Sequence, residues 1–227
     1  MEKFNKSIAL DGPSGAGKST LAKRTAEHFG FIYVDTGALY RCVGLFAFRN
    51  NTAPKDKDGI ISLLPEIKLD MKYDDSGIQR MFLSNEDVTE AIRMPEISVY
   101  ASDVSALPEV RAFLLQMQRD MAARYDVIMD GRDIGTVVLP DAGLKIFITA
   151  DAEARANRRY LELLDKGVET TFIEVKEAMT ARDKNDSERD VAPLKAADDA
   201  VILDTTSLNF EESFEAICDL VSGRFNI

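Results

Sequence analysis

Gly12-Pro13-Ser14-Gly15-Ala16-Gly17-Lys18-Ser19, continued by Thr20, is a glycine-punctuated run that ends in an ammonium and a hydroxyl. The glycines let the main chain curl so that successive N–H groups point at one anion. Lys18 then reaches the outer phosphates of a polyphosphate, and the Ser19 hydroxyl can ligate Mg²⁺. The run follows the apolar residues 8–10 and leads straight into a helical pattern, the context in which such a cradle works. The plain alternative is a glycine-rich turn between strand and helix that binds nothing.

Three further clusters could do related chemistry. Asp130-Gly131-Arg132-Asp133 closes an apolar run, so Asp130 either stands near a metal held by Ser19 or simply caps the next turn. Asp35-Thr36-Gly37-Ala38-Leu39-Tyr40-Arg41 gathers a hydroxyl, a phenol and a guanidinium within six residues. It could hold a non-reacting part of a substrate, or Asp35 and Thr36 could cap a helix whose Tyr40 packs inside; both can be true. Arg155, Arg158 and Arg159 recur at helical spacings of three and four and so share a face, with Arg182, Asp186 and Arg189 on a returning segment. Like charges gathered this way repel one another unless an anion lies between them, as in phosphoryl transfer; the plain alternative is a solvated surface helix.

The elements that must position these residues follow from apolar runs at 7–10, 31–34, 126–129, 144–148 and 200–203, each read as a strand. Helical patterns lie between them, over 18–29 with Gly30 as its C-terminal cap, and over 109–124 with Val110, Leu114, Met117 and Met121 on one face. On spacing alone, Arg111 reads as a surface residue of that second helix. Strands alternating with helices imply crossover connections, a buried parallel sheet, and ligands at the carboxyl ends of the strands. The fold class is therefore α/β, a five-stranded parallel sheet flanked by helices.

Residues 63–90 break the rhythm. Ile67, Leu69, Met71 and Tyr73 alternate with polar residues before the turn Asp74-Asp75-Ser76-Gly77 and a second apolar run, Met81-Phe82-Leu83, which predicts an inserted antiparallel hairpin. The charge-dense stretch 151–194 is expected to form a helical lid, with a capping box expected at Thr171 and Glu174. The organisation expected is one domain over 1–227. Its core is 1–35, 96–150 and 195–227; an acceptor-binding region with the β insert spans 36–95, and the lid spans 151–194.

A chain of 227 residues that is 45% hydrophobic can bury a large core, and its formal charge of −11, from 39 acids against 28 bases, leaves no excess positive field for nucleic acid or a membrane surface. Cys42 and Cys218 are the only cysteines, and neither a leader nor an apolar run of membrane-spanning length is visible. The cytoplasm is the expected compartment and a monomer the expected state. His28 is the sole histidine, which excludes histidine-rich metal sites and histidine-based triads, and it is expected on the solvent side of the first helix.

Taken together, these stretches resemble the bacterial cytidylate kinases of the P-loop nucleoside monophosphate kinase group, over nearly the whole chain. The resemblance is carried by residues 10–19, by 35–41, by Asp130-Gly131-Arg132-Asp133-Ile134-Gly135-Thr136-Val137-Val138, by Arg155 to Arg159 and by Val191-Ala192-Pro193-Leu194. It implies transfer of the γ-phosphate of ATP to CMP or dCMP, with Mg²⁺, on a P-loop NTPase-type sheet with a lid and an enlarged acceptor region. Gly12 to Thr20 would bind ATP, with Ser19 and Asp130 at the metal. The resemblance places Thr36, Tyr40 and Arg41 beside the monophosphate nucleotide, and Ser102 and Arg111 toward the cytosine edge. Arg132 and Asp133 would lie at the same pocket, Arg182 and Asp186 near the pentose, and Arg189 at the phosphates. Lys18, Arg132, Arg155, Arg158, Arg159 and Arg182 would carry the catalytic charge. Family members carry Ser where this chain has Thr36, which keeps the hydroxyl and adds a methyl.

Two other readings share some of these signals. A kinase for another small molecule would use the same cradle and lid. A GTP-dependent switch would need a guanine-reading Asn-Lys-x-Asp, and the only Asn-Lys pair, Asn5-Lys6, runs into Ser7-Ile8 ahead of the cradle.

Overall fold

The computed structural model describes residues 5–75 and 77–227. In chain order its strands are β1 (Ser7–Asp11), β2 (Ile32–Asp35), β3 (Leu69–Tyr73), β4 (Gln79–Leu83), β5 (Glu86–Asp87), β6 (Val127–Gly131), β7 (Leu144–Thr149) and β8 (Val201–Asp204). The helices are α1 (Lys18–Phe29), α2 (Thr36–Arg49), α3 (Lys57–Leu63), α4 (Pro95–Val104), α5 (Pro108–Arg124), α6 (Ala152–Asp165), α7 (Phe172–Glu188) and α8 (Phe210–Phe225). Five strands form one sheet in the order β2-β6-β1-β7-β8; β1 runs parallel to β6 and β7, and β7 parallel to β8. Helices flank this parallel sheet, as expected from the alternation of apolar runs and helical periods.

Contacts divide the chain into two compact units, one comprising the described part of Met1–Tyr33 with Arg124–Ile227, the other Val34–Ala123, so that the division falls within β2.

The first unit is built on β1, whose residues Ile8, Ala9 and Leu10 are fully buried. Leu10 lies opposite Asp130 and Asp11 opposite Gly131, so the carboxyl ends of β1 and β6 are level. Helix α1 spans the residues predicted for it. Gly30 ends it in the left-handed conformation, φ 70°, with its N–H donating to Ala26 O. Leu21, Ala22 and Ala26 of α1 bury against Ile8, Leu10, Ile128, Ile146 and Ile148 of the sheet and Ile217 and Val221 of α8. That apolar burial supplies most of the unit's stability. His28 is exposed on α1, with its ring edge-on to Phe29 and Phe214. Helices α6 and α7 pair through Ala156, Val175, Met179, Tyr160, Leu163 and Phe172, and the predicted Thr171–Glu174 capping box starts α7.

In the second unit α2 lies against α4. At Gly44 a Cβ would stand 2.8 Å from Tyr100 Cβ and 3.2 Å from Ala101 N, so glycine lets the two helices approach. Leu39, Val43, Val104, Val110, Leu114, Met81 and Leu83 share one core, so residues 96–123 of α4 and α5 pack with α2 and β4. The insert is a three-stranded antiparallel sheet, β3-β4-β5, with Leu69 opposite Leu83 and Tyr73 opposite Gln79. The hairpin expected there is present with β5 added; Ser76 of its turn lies outside the described residues.

Candidate active site

The loop from β1 to α1 bends at Gly12, φ 149°, where a Cβ would lie 2.0 Å from the Ile148 carbonyl oxygen. Only glycine fits there. Gly17, φ 83°, precedes α1; no side chain caps that terminus and no acidic residue occupies the first turn. The partial positive charge of the helix start and its N–H groups therefore remain for an anion. Lys18 is buried, and its Nζ donates to the Pro13 carbonyl at 2.7 Å, folding the side chain back over the loop. Burial first, then repulsion from Arg132 and Arg182, holds the Lys18 ammonium well below its ordinary pKa, against the opposing pull of Asp130 and Asp11.

Ser19 Oγ donates to Asp130 Oδ2 at 2.7 Å, and Tyr33 Oη donates to Asp130 Oδ1 at 2.8 Å. The two groups expected to hold a metal are thus in contact, and Asp130 does more than cap its own turn. One hydroxyl and one carboxylate suit Mg²⁺, which takes few protein ligands and completes its shell with phosphate oxygens and water. Consistent with so sparse a donor set, no group of three or more His, Cys, Asp or Glu side chains placed to hold a metal occurs among the described residues.

Asp11, at the end of β1, accepts from Ile134 N and Gly135 N, each at 2.8 Å. It thereby ties the strand that starts the phosphate loop to the π-helical turn Ile134–Val138 directly after Arg132 and Asp133. Burial pushes the Asp11 carboxyl up to about 6 against those two hydrogen bonds. Sequence reasoning gave Asp11 no role; its only signal is a carboxylate closing an otherwise apolar strand.

The charged residues of the first unit form paired hubs. Arg132 Nε donates to Asp186 Oδ2 at 2.8 Å, and Arg189 Nη2 to Asp133 Oδ1 at 3.1 Å with both side chains almost wholly buried. Burial would raise the Asp186 carboxyl, but the charges of Arg132, Arg182 and Arg189 outweigh it and hold the group below its ordinary range. Arg132, Asp133, Arg182, Asp186 and Arg189 are therefore brought together.

The three arginines of α6 are not. Arg155 reaches the Ala150 and Ser14 carbonyls, each at 2.9 Å, and pairs with Asp183, whose Oδ1 also accepts from Ser14 N at 3.2 Å. Arg158 turns to the loop after β8, donating to Thr205 Oγ1 at 3.1 Å and to Leu208 O at 3.3 Å. Arg159 pairs with Glu162 on its own helix at 2.7 Å. Helical spacing put them on one side of α6, but long side chains follow their nearest acceptors, and these lie in three directions.

In the second unit Asp35 caps α2, its Oδ1 accepting from Ala38 N at 3.0 Å. Arg93 Nη2 lies 3.0 Å from Asp35 Oδ2 and Arg41 Nη1 lies 4.0 Å from it, so one carboxylate faces two guanidiniums. Thr36 is buried beside it. Arg111 is 7% exposed, which corrects its reading as a surface residue: its guanidinium sits 5.7 Å from the Tyr40 ring centroid and Nη1 donates to Ser105 O at 3.2 Å. The Ser102 hydroxyl on α4 is buried with no hydrogen-bond partner among the described residues. Thr36, Tyr40, Arg41, Ser102 and Arg111 thus share this unit. Arg93 was missed because its partner stands 58 residues earlier. Cys42, buried beneath the group, has its thiol pushed up to about 12, chiefly by burial, and is inert.

A sequence model of the cytidylate kinase family matches residues 8–223. The cytidylate kinase of Caldicellulosiruptor bescii is 50% identical over 220 residues, covering 97% of this chain and 96% of that one. That of Streptococcus uberis is 50% identical over 204 residues, 90% of each. Among solved structures, an uncharacterized protein from Eubacterium ventriosum superposes with a TM-score of 0.52 at 13% identity over 97% of this chain and 99% of that one, a likeness of fold alone. With a family match spanning nearly its whole length, the chain belongs to the cytidylate kinase family, an enzyme of the nucleoside monophosphate kinase type and so a phosphotransferase.

Proposed function

We propose that this protein transfers the γ-phosphoryl group of ATP to CMP or dCMP, giving CDP or dCDP. Gly12 to Thr20 hold the triphosphate. Successive loop N–H groups and the start of α1 take its oxygens, and Lys18 exchanges the Pro13 carbonyl for phosphate, whose negative charge favours the ammonium form. Ser19 and Asp130 would hold Mg²⁺, which would supply charge neutralisation to the phosphates.

The acceptor is held in the second unit by Thr36, Tyr40 and Arg41, with Ser102 and Arg111 toward the cytosine. In the first unit, Arg132, Asp133, Arg182, Asp186 and Arg189 form a charged group suited to a pentose and to phosphates. Helices α6 and α7, within 151–194, act as the lid and exclude water that would otherwise accept the phosphoryl group. No side chain acts as a general base, because the attacking oxygen belongs to a phosphate that is already anionic near neutral pH. Positioning and charge carry the rate.

The observation that carries the cytosine assignment is the Ser102 hydroxyl, buried without a hydrogen-bond partner among the described residues, on the same unit as the Arg111 guanidinium over the Tyr40 ring. A buried polar group left unpaired costs about 1–3 kcal/mol, a cost a hydrogen-bonding base removes. The test is a coupled ATP-consumption assay across CMP, dCMP, UMP, AMP and GMP, with and without Mg²⁺. Turnover is expected with CMP and dCMP and only with the metal. Turnover confined to a purine monophosphate overturns the reading.

A further inference from the structure

Gln79, the first residue of β4, spends its side-chain amide on the main chain of Asp35. Its Oε1 accepts from Asp35 N at 2.9 Å and its Nε2 donates to Asp35 O at 3.3 Å. A carboxamide carries the same donor and acceptor as a peptide group, so Gln79 acts as a one-residue strand partner for the last residue of β2. That place needs one, because β2 is an edge strand of the five-stranded sheet and Asp35 is where strand becomes helix. The same residue is held through its side chain by Ala38 N and Arg93. Main chain and side chain of Asp35 are therefore both fixed, immediately before Thr36, Tyr40 and Arg41.

We infer that Gln79 is a positioning residue for the acceptor nucleotide, through which the β3-β4-β5 insert sets the geometry of residues 35–41. This rests on the acceptor role given above to Thr36, Tyr40 and Arg41. A rigid insert with no connection to that segment would only add bulk; the amide clamp makes it a support, and small displacements of binding groups are costly to substrate affinity. The neighbouring Arg80 serves as the contrast, since its side chain pairs with Asp87 inside the insert at 3.1 Å.

The experiment compares Gln79→Met, which keeps the length of the side chain and removes both hydrogen bonds to Asp35 together with the one from Nε2 to Met81 Sδ, with Arg80→Ala. In Gln79→Met the KM for CMP is expected to rise at least fivefold while the KM for ATP stays within twofold of the parent. Arg80→Ala is expected to leave both within twofold. Gln79→Glu, which retains the acceptor but sets a carboxylate against the Asp35 carbonyl, is expected to be worse than Gln79→Met, and it decides the matter if Gln79→Met lacks a cooperative melting transition. An unchanged KM for CMP overturns the inference, as does an equal rise for both substrates. If the parent itself turns over a different monophosphate, the functional reading falls alone and the same comparison is made with that substrate; if it turns over none, both fall.

Discussion

Ser19 Oγ donates to Asp130 Oδ2 at 2.7 Å, joining the start of α1 to the end of β6 through the two groups that suit a divalent cation. Because Tyr33 holds the other carboxylate oxygen, Asp130 keeps its orientation when Ser19 is lost. Ser19→Ala should therefore raise the Mg²⁺ concentration needed for half-maximal turnover with little change in melting temperature. Asp130→Asn should lower kcat by about a hundredfold or more, since metal charge stabilisation is worth several kcal/mol. Titration of turnover against Mg²⁺ checks both, and a parent enzyme that works undiminished after chelation refutes the metal assignment.

Lys18 is a buried ammonium that burial and the charges of Arg132 and Arg182 disfavour and that the charges of Asp130 and Asp11 favour. Replacing it with the uncharged, similarly shaped methionine removes an awkward buried charge from the empty loop, so Lys18→Met should fold at least as stably as the parent. The same change deletes a donor aimed at developing phosphate charge, for which losses of about 10²–10³ in kcat are typical. Normal turnover in a folded Lys18→Met variant contradicts the role.

Much of the core architecture was legible because it is local. Each of the five sheet strands begins or ends within about a residue or two of its apolar run, and α1 ends at Gly30 because a glycine in the left-handed region is itself a stop signal. The site was legible only where chemistry is clustered in sequence, as in 12–20, 35–41 and 130–133. Arg111 read as surface because what buries it, Tyr40 on α2, lies 71 residues away. Asp35, Gln79 and Arg93 meet only once the insert has folded, and no spacing rule links them. The face shared by Arg155, Arg158 and Arg159 was a correct reading of helix geometry that did not foretell their partners, because Arg155 and Arg158 reach acceptors on other elements while Arg159 pairs with Glu162 on α6 itself.

Arg111 is expected to act on one substrate. Its guanidinium is already placed over Tyr40 and anchored to Ser105 O, so Arg111→Met should keep most of the apolar packing and lose a charged hydrogen-bond donor. Hydrogen bonds to charged groups are worth about 1.5–3 kcal/mol, which corresponds to a rise of about tenfold to a hundredfold in the KM for CMP. The KM for ATP should stay near the parent value. Steady-state kinetics with each substrate varied in turn separates this outcome from a folding defect, which would raise both.

Asp11 predicts a pH dependence of stability with a definite sign. Its carboxyl is raised from 3.8 to about 6 in the folded protein, so the folded state holds this proton more tightly than the unfolded chain does. The stability it contributes is present in full below pH 3.8 and is lost as pH rises toward about 6; at 1.36 kcal/mol per pKa unit the loss approaches about 3 kcal/mol. Asp186, held below its ordinary range, works in the opposite direction, gaining stability as pH rises through its own titration. The whole-protein profile therefore mixes the two, and the difference between parent and Asp11→Asn isolates one. Asparagine cannot titrate, and it can accept from only one of Ile134 N and Gly135 N, so the variant should be less stable than the parent by a margin that shrinks steadily between pH 4 and pH 6. Chemical denaturation of both proteins across that window measures the margin, and a difference independent of pH shows that Asp11 remains ionised throughout.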